Sequence, residues 1–137
     1  LNRIIMESIF SKIIAGDIPC YKVAESLDFL AFLDINPLTK GHVLVIPKTE
    51  VDYIFDLDDQ IYAGLMIFAK VVAKAIKNVV PCERIGVAVV GLEVPHAHIH
   101  LIPINQISDM DFGKQKLKPS EQELSEMALK ILSSFNQ

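Results

Sequence analysis

The sequence predicts an α+β fold, a mainly antiparallel five-stranded sheet with one long helix and a C-terminal helix. Three observations predict it. Three β-like runs precede the clearest helical repeat and two follow it, so strands come in groups instead of alternating with helices. Asp56–Asn78 places Ile61, Leu65, Phe68, Val72 and Ile76 at helical spacing. The run Ser120-Glu121-Gln122-Glu123 has a capping-box pattern ahead of Leu124, Met127, Ile131 and Leu132.

Each element has a local cause. Ser8–Ile14 is short and apolar on one side, enough for one or two helical turns. Gly16-Asp17-Ile18-Pro19 is a turn. Tyr21–Glu25 and Phe29–Asp34 are strands around a Ser26-Leu27-Asp28 connection. His42–Ile46 is a β-branched and aliphatic run, a buried strand that Pro47 ends. Asp56, Asp58 and Asp59 favour the positive end of the long helix, and Pro81 closes it. Arg84–Val90 is a fourth strand, and the run from Val94 to Pro103 a fifth.

With 137 residues, 51% hydrophobic and 22% charged, the chain has the composition of a soluble globular domain. No apolar run reaches the roughly 18 residues of a membrane span. The first residues lack the pattern of a secretory signal. Met6 is a candidate initiator, which makes residues 1–5 a non-native or disordered extension and 6–137 the domain. A net charge of −4 lacks the footprint of a general nucleic-acid binder. Cys20 and Cys82 are far apart in sequence and without metal-type spacing, so a reduced, cytoplasmic pair is expected.

Three of the four histidines, His96, His98 and His100, fall in Val94-Pro95-His96-Ala97-His98-Ile99-His100-Leu101-Ile102-Pro103. On a strand they share one face, with successive Cα atoms about 6.6 Å apart, and Ala97, Ile99 and Leu101 face a core. Three readings compete. One is coincidence. One is a metal site completed by His42 or Glu93. The third is phosphoryl or nucleotidyl chemistry, in which a neutral imidazole attacks phosphorus and its neighbours offset charge on the phosphate oxygens. Histidine suits both jobs because its ordinary pKa is near 6.5.

The run His96-Ala97-His98-Ile99-His100-Leu101-Ile102 resembles the signature of the histidine triad (HIT) family. The resemblance extends to Phe10–Ile14, Ile18-Pro19, Phe32–Pro37 and Gly41–Lys48, and so covers residues 8 to 104. It implies a HIT-like fold, a homodimer, a purine nucleotide substrate and no cofactor. The implied activity is cleavage or transfer of a nucleoside 5′-monophosphate linkage through a nucleotidyl-histidine. The linkage would be a phosphoramidate, an acyl-adenylate or a dinucleoside polyphosphate. By the same resemblance His98 is the nucleophile, His100 and His42 bind phosphate oxygens or tune the cluster, and His96 helps to position them. Asp34 matches the carboxylate that holds the ribose hydroxyls. Phe10, Ile13, Ile18, Phe32 and Ile35 match apolar residues around the base, although core packing explains them equally well.

Several positions depart from the family pattern. Ser8, Ser11 and Glu50 stand where some members carry zinc ligands beside the first triad histidine, so no metal is expected there. Leu92 replaces a polar residue, and Ala88 stands at or near the position of an asparagine. Loss of such donors costs about 10²–10³ in rate if nothing replaces them. Glu93 is either a leaving-group contact or a solvated rim residue. These losses motivate an alternative, a nucleotide-binding module with little catalysis. A zinc enzyme is the third option.

Overall fold

The computed structural model describes residues 7–137. The expected extension at residues 1–5 and the initiator at Met6 lie outside the described residues. The elements are α1 (Ile9–Ile14), β1 (Lys22–Glu25), β2 (Phe29–Leu33), β3 (Val43–Pro47), α2 (Asp59–Val79), β4 (Arg84–Ala88), β5 (Ile99–Ile104) and α3 (Glu121–Phe135). The strands form one sheet in the order β1-β2-β3-β5-β4, and every pairing is antiparallel. The α+β architecture expected from the grouped strands is therefore the one observed.

The helix ends follow side-chain chemistry. Ser8 caps α1 by accepting the Ser11 N–H at 3.0 Å. Gly16, at φ 85°, ends it, with Gly16 N–H bonded to Ile13 O and Asp17 N–H to Lys12 O. Asp58 caps α2 through the Ile61 N–H at 2.8 Å. The long helix thus starts later than the periodicity suggests, because Ile54–Asp56 forms a separate 3₁₀ turn. At α3 the Ser120–Glu123 capping box is made in both directions.

The sheet divides the chain by residue parity. Ala31, Val45 and Ile99 lie in register on one face, as do Leu33, Val43 and Leu101. Leu65, Phe68, Val72 and Ile76 of α2 and Leu124, Ala128 and Ile131 of α3 cover them in the main core. The opposite face carries the row Phe32, Leu44, His100 and Ala88, one residue from each of four strands. The short α1 packs near it through Phe10, and Phe112, from the connection after β5, stands on His100. That face is left open for a site.

The triad run is not one continuous strand. β5 starts at Ile99, and His96 sits in a bend. The His96 N–H reaches Val94 O at 2.8 Å, a three-residue γ-turn around Pro95. The His96 ring stays under α1, 5.8 Å from the Phe10 ring that also stands edge-on to His98, but it does not reach the cavity. Ala97, Ile99 and Leu101 are buried in the main core, as alternation requires. β4 also stops at Ala88, short of Val90, where the chain heads for a turn at Gly91 with φ 74°.

Candidate active site

Two-residue alternation aims the functional side chains at one place. Phe32 and Asp34 leave the end of β2, His42 and Leu44 flank the start of β3, and His98 and His100 enter β5. They line one cavity of about 650 Å³ on the open face. Phe10, Ile13, Ile18, Ile35 and Glu93 line it as well. Phe10 stands edge-on to His98, with ring centroids 5.2 Å apart, and edge-on to Phe32 at 5.4 Å. His96 does not line the cavity. Its ring is fully buried behind it.

Hydrogen bonds set the histidine tautomers. The Leu38 backbone N–H donates to His42 Nδ1 at 3.0 Å. His42 Nε2 therefore carries the proton and donates to His100 Nδ1, 2.9 Å away. That leaves the His100 proton on Nε2. His98 Nδ1 lies 2.7 Å from the His96 carbonyl oxygen and must donate to it. His98 Nε2 is then an unprotonated ring nitrogen with its lone pair available. For His96, Nε2 donates to Pro47 O at 2.8 Å and Nδ1 accepts from Ser8 Oγ at 2.8 Å.

Electrostatics agree with neutral rings. Burial, followed by the neighbouring His100 and the Lys116 charge, lowers the His42 pKa to about 3. Burial and the adjacent His98 lower the His100 pKa to about 4. Burial also lowers His96. Asp34 is raised by burial, against the lowering effect of the Asn36 N–H bonded to its Oδ1 at 2.9 Å. Its Oδ2 is 3.8 Å from His42 Nε2, a polar contact with a neutral ring and not an ion pair.

Asp34, His42 and His100 bring one ligand atom each within 4.8 Å of one another. The hydrogen bonds argue against a cation there. His42 Nδ1 already accepts an N–H, so a metal at Nε2 would need an imidazolate or a broken Leu38 bond.

The family model for the HIT domain matches residues 15–107. The chain belongs to the HIT domain family. Adenosine 5′-monophosphoramidase hnt1 of Schizosaccharomyces pombe is 44% identical over 100 residues, 72% of this chain and 74% of that protein. Adenylylsulfatase HINT3 of Arabidopsis thaliana is 28% identical over 132 residues, 93% of this chain and 66% of that one. A Hit-like protein from Bartonella henselae superposes with a TM-score of 0.81 at 30% identity, covering 93% of this chain and 95% of its own.

The positions that hold zinc in some HIT members come together here as a hydrogen-bonded cluster. Ser8 N–H donates to Glu50 Oε1 at 2.7 Å, Ser11 Oγ donates to the same oxygen at 2.6 Å, and Ser8 Oγ binds His96 Nδ1. Two neutral hydroxyls are poor zinc donors, and the His96 lone pair is already engaged. The residues do not fit the metal. The cluster instead ties α1 to the triad segment.

This HIT site also contains residues that the sequence does not single out. Phe112, Gly113 and Lys116, from the connection between β5 and α3, form one wall. Phe112 stands edge-on to His100 with centroids 4.9 Å apart. No periodicity marks this stretch, so only its approach to the cavity reveals it. Leu92 is at the rim and 88% exposed. Ala88 pairs with His100 across β4 and β5 and offers only a methyl group.

Proposed function

We propose that this protein is a hydrolase or nucleotidyl transferase that cleaves a nucleoside 5′-monophosphate linkage, with a purine nucleotide as substrate. The observation that carries the reading is the tautomer of His98. Its Nε2 is a free nucleophile on the cavity side, and the His96 carbonyl supports the positive charge that the ring gains on attack at the α-phosphorus. His100 Nε2–H is the remaining ring donor for a phosphate oxygen, held in place by His42. Asp34 suits the ribose hydroxyls, and the apolar lining of Phe10, Ile13, Ile18, Phe32 and Ile35 suits a base. Water then releases the nucleotide from His98.

The His42–His100 relay has no spare proton. Protonating either ring breaks a bond that the network already makes. A leaving group that carries its own proton, or leaves as a stable anion, fits best. A phosphoramidate already protonated on nitrogen releases a neutral amine and is the first kind, and an acyl or phosphate group, leaving as its anion, is the second. The alternative is a nucleotide-binding module with little turnover, favoured by Leu92 and Ala88.

Brief exposure to adenosine phosphoramidate, followed by mass spectrometry, separates the two. An adenylyl adduct on His98 is expected. His98→Ala should lose about 10³-fold or more in rate. Equal activity in the variant refutes the mechanism, and AMP binding without turnover selects the module.

A homodimer and a cytoplasmic location complete the reading. β4 is a sheet edge, and Val87 within it and Val89 and Val90 beyond it are exposed together with Met66, Ile67 and Val71 of α2. An unpaired edge beside an apolar face suits a second copy. Sedimentation should give twice the chain mass, and a monomer at high concentration rejects the dimer. Cys20 and Cys82 are unbridged, as in a reducing compartment. No helix among the described residues is long and apolar enough to cross a membrane.

A further inference from the structure

We propose that Lys116 is the phosphate-binding cation of this cavity, holding a nucleotide's phosphoryl oxygens beside His98 and His100. The inference rests on the function proposed above and names a group that the triad itself does not supply.

The charge inventory leads to it. The cavity lining contains two carboxylates, Asp34 and Glu93, and one basic side chain, Lys116. The hydrogen bonds hold His42 and His100 neutral, so these rings donate to a phosphate without offsetting its charge. A phosphate entering a site lined by two acids and uncharged imidazoles is poorly matched. A fixed cation corrects that mismatch.

Lys116 is also built in. Its Nζ donates to Phe112 O at 2.5 Å and to Lys114 O at 3.3 Å, so two of three ammonium donors are spent on its own segment. That segment is anchored at both ends. Phe112 stands on the His100 ring, and the Leu117 N–H donates to Pro37 O at 2.9 Å. The side chain is half-buried, and among the described residues it forms no ion pair with a carboxylate. A half-buried ammonium with one donor left and no carboxylate partner is free to take an anion from the cavity. Lys116 lines the same cavity as Asp34, His42, His98 and His100, and its charge is felt at Asp34 and His42.

Calorimetric titration with AMP and with adenosine tests the assignment. It compares the full chain with Lys116→Gln and Lys116→Arg at one salt concentration. The glutamine variant should bind AMP about 10–100-fold more weakly while adenosine affinity stays within about twofold. The arginine variant, which keeps the charge, should bind AMP more tightly than the glutamine variant. If the wild type binds AMP no more tightly than adenosine, the lysine is not a phosphate ligand. Unchanged AMP affinity in Lys116→Gln, or an equal loss for AMP and adenosine, overturns the inference and leaves the proposed function standing. A wild type that binds neither ligand overturns both.

Discussion

Leu101 and His100 are neighbours on β5, yet they belong to different environments. Leu101 is 1% exposed in an apolar layer under α2 and α3. His100 lines a cavity and spends one ring nitrogen on His42. The same alternation separates Val43 from Leu44 and Leu33 from Phe32. One face is finished by packing. The other is finished by hydrogen bonds among buried imidazoles, and these must be satisfied individually. Two long or well-capped helices close the dry face, whereas a six-residue helix leaves the second face open.

The largest expected effect separates chemistry from stability on the wet face. The His98→Ala loss described above, about 10³-fold or more, is equivalent to about 4 kcal/mol in the barrier. On the dry face, Leu101→Ala should cost about 2–5 kcal/mol of stability in urea unfolding, because it opens a cavity in a closed layer. AMP affinity per folded molecule should be unchanged. A loss below about 1 kcal/mol would mean that this layer is not tightly packed.

A smaller effect comes from acid. His42 and His100 have folded pKa values near 3 and 4, below the ordinary 6.5. The unfolded chain therefore takes up these protons first as the pH drops. Stability is fully present above about pH 6.5 and falls as the pH approaches 4, by about 3 kcal/mol for each ring. Asp34 acts in the opposite sense, since burial raises its pKa and the folded form keeps that proton longer. Urea midpoints measured from pH 7 to pH 4 should fall more steeply for the wild type than for His100→Gln. Parallel slopes would show that the imidazole pair does not drive the acid response.

Much of the fold was legible because its signals are local. The α2 periodicity, the Ser120–Glu123 capping box and the grouped strands need no tertiary information. The site was legible at His98 and His100 through alternation and at Asp34 and His42 through the resemblance to the HIT family, and all four line the cavity. His96 shows the limit of that logic. Equal spacing puts it with its partners, but both of its ring nitrogens are taken by Ser8 and Pro47 and it does not line the cavity. Lys116 shows another limit, since nothing in Asn105–Pro119 predicts where an irregular segment will lie.

Sequence alone determined which residues alternate, where the last helix is capped and which ring types stand near one another along the chain. These depend on backbone geometry over a few residues. Tertiary structure decided which ring nitrogens carry protons, because Leu38 and the His96 carbonyl fix them across the fold. It also brought Ser8, Ser11 and Glu50 onto His96, and Lys116 onto the open face. Tautomer and charge balance are properties of neighbours in space, which spacing along the chain does not specify.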